Sequence, residues 1–222
     1  MKLGTYLQHV TKLFILNLAL SLSLFLFSCN QQTEKLPFYN TADFTAEWLT
    51  PADIKYNKIH TIDTFAMRNQ VGNLITKDSL DGHIYVANFF FTICPSICPK
   101  MINNLHSLQD KYINNKDVKL VSFSVMPWVD SVARLKEYAD NQRIKANKWH
   151  LLTGKKERIY ILGRKSYFSE KKLGLQKDSS AFLHTESMLL IDKKGRIRGI
   201  YNATEKEDIK RVTNDIELLL VE

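Results

Sequence analysis

Residues 84–91, Ile84-Tyr85-Val86-Ala87-Asn88-Phe89-Phe90-Phe91, form a run of aromatic and branched side chains without a charge, the pattern of a central strand buried on both faces. Beyond it Met101, Leu105 and Leu108 recur at helical spacing, while Asn103, Asn104, Gln109 and Lys111 fall on other faces, which predicts a helix over about 95–113. Pro95 and Pro99 suit its first turn, where a missing N–H costs nothing. Residues 118–125 predict a further strand. Val132, Leu135, Tyr138 and Ala139 predict a helix, and residues 149–152 a short strand after it. Ile159, Ile161, Leu162, Tyr167 and Phe168 predict another helix. Residues 187–192 and 197–201, joined by Lys193-Lys194-Gly195, predict a hairpin, and a closing helix spans about 205–220. Earlier in the chain, alternation over 59–65 predicts a strand, with 73–79 as its partner. Residues 31–50 are read as a polar tether punctuated by Pro37 and Pro51.

Between the central strand and its helix lie Cys94 and Cys98, in Phe91-Thr92-Ile93-Cys94-Pro95-Ser96-Ile97-Cys98-Pro99. With a helix starting near Pro95, the two thiols share one face a turn apart, at an exposed strand-to-helix turn. The free N–H groups and dipole of the helix start favour a thiolate at Cys94, the form needed for nucleophilic attack and for metal ligation alike. The chain order, a βαβ unit followed by an antiparallel hairpin and a last helix, is the α/β pattern of thioredoxin-like folds, a central mixed sheet flanked by helices.

The third cysteine has a separate explanation. Lys2 and Lys12 precede an apolar run over 13–27, which ends at Leu26-Phe27-Ser28-Cys29 and passes at once into polar residues. About 15 apolar residues suit a signal-peptide core and fall short of the roughly 20 of a membrane span. The boundary resembles a bacterial lipobox, which implies a lipidated Cys29 as first mature residue, with an uncleaved anchor as the alternative. This divides the chain into a signal peptide (1–28), a tether (29–50) and one domain (51–222). The protein is expected in the bacterial cell envelope, held to a membrane by lipid and facing the periplasm or outer surface, where disulfides are allowed. The formal charge is +8 over 222 residues. Its basic residues alternate with acids, as in Lys155-Lys156-Glu157-Arg158, so they read as solvated surface and not as a nucleic-acid site.

These residues together resemble the Sco/SenC family of copper-binding, thioredoxin-like proteins over nearly the whole mature chain. The cysteine segment matches the family's Phe-x-x-Cys-Pro-x-x-Cys-Pro motif. Phe182-Leu183-His184-Thr185-Glu186-Ser187 matches the segment in which a histidine precedes the hairpin. The resemblance implies Cys94, Cys98 and His184 as copper ligands and delivery of copper to the copper-site subunit of cytochrome c oxidase, with a thiol-disulfide reductant as a further partner. Two positions depart from the family. Met126-Pro127 stands where Asp-Pro is usual, and Leu183 stands where an Asp usually precedes the histidine, which disfavours Cu(II) more than Cu(I); Asp130 retains an acid further along. The donor types agree, since two thiolates and an imidazole suit Cu(I), although Zn also accepts such a set.

A second class stays open: a thiol-disulfide oxidoreductase in which Cys94 attacks and Cys98 resolves. Thioredoxin-type reductases place a proline just before the hairpin strand, and residues 177–190 contain none, which favours the carrier over a classical enzyme. His60, His83, His106 and His150 lack metal-ligand spacing and read as surface or loop residues. Met101 and Met188 read as core, Met126 as a soft auxiliary contact, and Trp48, Trp128 and Trp149 as packing residues, with Trp128 also able to meet a partner. Ser122 and Ser124 have no His/Asp constellation, so a serine hydrolase is not supported.

Overall fold

The computed structural model describes residues 35–169 and 185–222. Seven strands form one sheet: β3 (Ala66–Asn69), β4 (Leu74–Thr76), β5 (Ile84–Phe90), β6 (Val118–Ser124), β7 (Trp149–Thr153), β8 (Ser187–Ile191) and β9 (Ile197–Asn202). Their order is β4-β3-β7-β6-β5-β8-β9. The pairs β5/β6 and β6/β7 are parallel, and the remaining neighbours antiparallel. The mixed sheet is flanked by α1 (Ile97–Tyr112), α2 (Val132–Asn141), α3 (Lys156–Ile161) and α4 (Lys206–Val221), which is the α/β, thioredoxin-like arrangement the pattern predicts. A two-stranded ladder, β1 (Phe38–Tyr39) with β2 (Ala46–Glu47), precedes it.

Every residue of β5 is buried because helices or loops cover both sheet faces, which is why its sequence is apolar throughout instead of alternating. Ile84, Val86 and Phe90 pack with Met101, Ile102, Leu105 and Leu108 of α1 and with Val212 and Ile216 of α4. Tyr85, Ala87 and Phe89 pack on the opposite face with Phe65, Phe123 and Tyr167. Met101 and Met188 are core residues, and so is Trp149, whose indole N–H donates to Ser122 Oγ at 2.8 Å.

Three expectations are corrected. The strand expected over 59–65 forms instead at Ala66–Asn69, since the Ile62 N–H is taken by the Gly195 carbonyl and the Asp63 N–H by Ser166 Oγ, leaving no ladder there. The described part of the expected tether belongs to the compact unit, which begins at Lys35. Leu36 and Phe38 are buried, and buried Arg198 donates to the carbonyls of Leu36 (2.8 Å) and Pro37 (3.1 Å). Third, Trp48 and Trp128 are exposed and do not pack into the core.

Candidate metal and thiol site

At the end of β5 the chain leaves the sheet through Phe91 to Ser96 and enters α1 at Ile97, two residues later than expected. The Cys94 N–H donates to the Phe91 carbonyl at 3.3 Å, turning the loop back on itself. This places Cys94 beneath the helix start and Cys98 in its first turn. Both thiols are buried, 7% and 3% exposed, contrary to the exposed turn expected, because the loop folds over the apolar end of the core. They are free, without a disulfide between them.

Their acidities move apart. Burial raises the Cys94 pKa, but N–H donors from Cys98, Ser96 and Ile97 and the Cys98 thiol outweigh it, so the net shift is downward. These are unpaired donors of the helix start, and Ser96 offers them no side-chain cap. Burial pushes Cys98 up to about 12, with the negative charges of Cys94 and Asp130 adding to it and the Phe91 N–H opposing it.

Asp130 is fully buried and holds this end together. Its carboxylate accepts the Thr92 N–H (3.2 Å), the Thr92 hydroxyl and the Ser124 hydroxyl, clamping the cysteine loop to the end of β6. Arg134 extends the clamp by donating Nε to Thr92 Oγ1 at 2.9 Å. Tyr138 lies close enough that its hydroxyl pKa rises, first through burial and then through Cys98, Cys94 and Asp130. Thr92, Arg134 and Tyr138 border a cavity of about 80 Å³. Sequence reasoning assigned these three no role, although Tyr138 lay on the predicted apolar face of α2 and Thr92 inside the cysteine motif.

Met126, half-buried, follows β6, and its N–H donates to Ser124 Oγ at 3.2 Å. His184, Leu183 and Cys29 lie outside the described residues. The other described histidines have local roles, and two of them depart from the surface or loop positions expected. His60 Nε2 bonds the Ser166 carbonyl at 2.8 Å, and His83 Nδ1 bonds the Asp81 carbonyl at 3.3 Å. His106 sits on α1 against Trp149, and His150 sits within β7, where burial lowers its pKa to about 4. Among the described residues no three His, Cys, Asp or Glu side chains form a metal cluster. The thiol pair is therefore the described part of any site that also draws on His184.

The chemistry open to this pair follows from its donors. Two neighbouring thiols can give up their protons to hold a soft cation, or lose two electrons and two protons to become a disulfide.

The SCO1/SenC family profile matches residues 55–220. The crystal structure of a SCO1/SenC family lipoprotein from Bacillus anthracis shares 29% identity over 72% of this chain and 95% of that one, with a TM-score of 0.63. The structure of BsSco is described by its disulfide switch and as a member of the Sco family of cytochrome c oxidase assembly proteins. It shares 29% identity over 72% of this chain and 94% of its own, with a TM-score of 0.60. Arabidopsis thaliana ScoI, solved with copper bound, shares 26% identity over 72% and 98%, with a TM-score of 0.55. With its family profile spanning most of the described fold, this chain belongs to the SCO1/SenC family.

Proposed function

We propose that the protein is an envelope copper carrier whose cargo is held by Cys94, Cys98 and His184 and passed to the copper-site subunit of cytochrome c oxidase. The observation that carries this reading is the pair of buried, free thiols at the strand-to-helix turn, in a family with copper-bound and oxidase-assembly members. Two thiolates suit cuprous copper, and burial shields the ion from water and oxidant. The half-buried Met126 in place of a carboxylate favours Cu(I) over Cu(II). Acylation of Cys29 anchors the mature chain to the membrane with its domain outside the cytoplasm, a reading supported by the lipobox-like boundary and by the lipoprotein relative.

The test is competition for Cu(I) between the reduced protein and a cuprous chelator. One equivalent is expected to bind, with Cys94→Ser and Cys98→Ser costing most affinity and His184→Ala less. Unchanged affinity in the His184 variant removes that residue from the site.

The divergent acidities favour a second reading, dithiol-disulfide exchange with a partner. The Cys94 thiolate attacks a partner disulfide, forming a mixed disulfide and releasing one partner thiolate. Cys98 then gives up its proton and displaces the second, so the partner leaves reduced and Cys94–Cys98 is oxidised until an external thiol reductant restores it. Oxidase assembly in cells under limiting copper separates the two. Loss in His184→Ala with rescue by added copper supports the carrier, and full function of that variant at limiting copper supports exchange.

A further inference from the structure

At the end of the sheet away from the thiols, a cavity of about 220 Å³ opens between the β8–β9 turn, Tyr56 and the last turn of α4. Its inner wall is neutralised, because Arg196 and Arg198 pair with Asp192 at 2.7 and 3.3 Å, and Arg198 also with Glu222 at 2.9 Å. Its rim is not: Lys193 and Lys194 are exposed and form no ion pair among the described residues. Tyr56 belongs to a 3-10 turn, Ile54–Lys58, that also presents exposed Lys55 and Lys58.

Apolar side chains stand out among these lysines. Ile54 is 89% exposed, Trp48 beside the Lys55 partner Glu47 is 68% exposed, and Val221 at the end of α4 is 80% exposed. Single exposed apolar residues are ordinary. Three of them, one an aromatic, among lysines of which Lys193 and Lys194 are unpaired, form the composition of a surface that meets headgroups and acyl boundary together.

The chain also enters the domain here, through Lys35 and the Leu36 and Pro37 carbonyls held by Arg198. Cys29 precedes Lys35 by six residues, so an anchor at Cys29 leaves at most about 20 Å of extended chain before this surface.

We propose that this end of the domain docks on the bilayer that anchors the chain. Trp48 and Ile54 enter the interface, while Lys193 and Lys194, at the mouth of the cavity, take the phosphate of an anionic phospholipid headgroup. The docked orientation points the thiol turn away from the membrane by about the length of β5, roughly 20 Å, since the β8–β9 turn adjoins the amino end of β5 and Cys94 follows its carboxyl end. The proposal rests on the membrane-anchor reading and not on copper.

The test reconstitutes the full-length chain into vesicles of brominated phosphatidylcholine, with and without phosphatidylglycerol, and reads tryptophan quenching. Quenching is expected with the anionic lipid, to be lost in Trp48→Phe and kept in Trp128→Phe. The ratio of docked to undocked protein is expected to fall about fivefold for each of Lys193→Gln and Lys194→Gln. Protection of both lysines from acetylation, read by peptide mass, gives a second measure independent of tryptophan. Quenching that ignores phosphatidylglycerol, or that follows Trp128, overturns the proposal. Intact mass of the same sample reports on Cys29: acylation without quenching sinks the docking alone, and quenching without acylation supports docking while removing the lipid anchor.

Discussion

At the carboxyl end of β5, Asp130 is buried among hydroxyls and an amide, and near it lie two free, buried thiols. At the amino end, Asp192 is buried between the guanidinium groups of Arg196 and Arg198, which stack over Phe38 at 4.7 and 4.3 Å, and Arg198 also holds the carbonyls of Leu36 and Pro37. The difference lies in what stays exchangeable. The arginine network satisfies its charges with permanent partners, so it can only hold the amino-terminal segment in place. The thiol end satisfies the Asp130 charge with neutral donors and leaves its two sulfurs free, so a soft cation can displace their protons or an oxidant can join them as a disulfide. One end closes the fold, and the other carries its chemistry.

The largest effect expected from this contrast is in thiol reactivity. With Cys94 lowered below its ordinary value and Cys98 raised to about 12, their thiolate fractions at pH 8 differ by more than about a thousandfold. Alkylation followed by peptide mass is expected to modify Cys94 first, with Cys98 reacting only after unfolding. Comparable rates in the native protein break the assignment of the two sulfurs.

Arg198→Met leaves Asp192 with Arg196 as its one guanidinium partner and frees two backbone carbonyls, at a cost of about 3–5 kcal/mol read from the urea midpoint. Cys94 alkylation is expected to stay unchanged in that variant. A parallel change there shows the two ends to be coupled.

Asp130→Ala strips three donors of their acceptor and is expected to cost about 3 kcal/mol. Unlike Arg198→Met it also alters the rate of Cys94 alkylation, since Thr92 is two residues from Cys94. A stability loss without that rate change makes Asp130 a staple like Asp192.

His150, on β7, belongs to neither end and serves as a control for pH. Its folded pKa of about 4 lies below the unfolded value of about 6.5, so between these pH values the unfolded chain binds the extra proton. The stabilisation is complete above about pH 6.5 and is lost as pH falls toward 4, by about 2–3 kcal/mol. His150→Gln is expected to flatten that slope without affecting either thiol, as followed by acid titration of the urea midpoint.

Much of the fold is legible in the chain because its signals are local. Residues 84–90 have the composition of a doubly buried strand, the apolar spacing of 101–108 sets α1, and the Lys193-Lys194-Gly195 turn sets the β8–β9 hairpin. The cysteine motif likewise showed the thiols' place at the junction of β5 and α1, since spacing along the backbone is a sequence property.

What the sequence by itself determined is therefore the order of elements, the helical face of α1 and the neighbouring positions of Cys94 and Cys98. The tertiary structure alone decided the burial of those thiols and the opposite shifts of their pKa, because both depend on which N–H groups and charges close around the sulfurs. It alone brought Asp130 to Thr92, thirty-eight positions apart in sequence. Only packing, too, turned the Leu36 and Phe38 stretch from expected tether into core, through Arg198, a residue on the far edge of the sheet. Local periodicity encodes which face of an element is apolar, whereas electrostatics and backbone capture are properties of contacts between elements that the linear pattern does not encode.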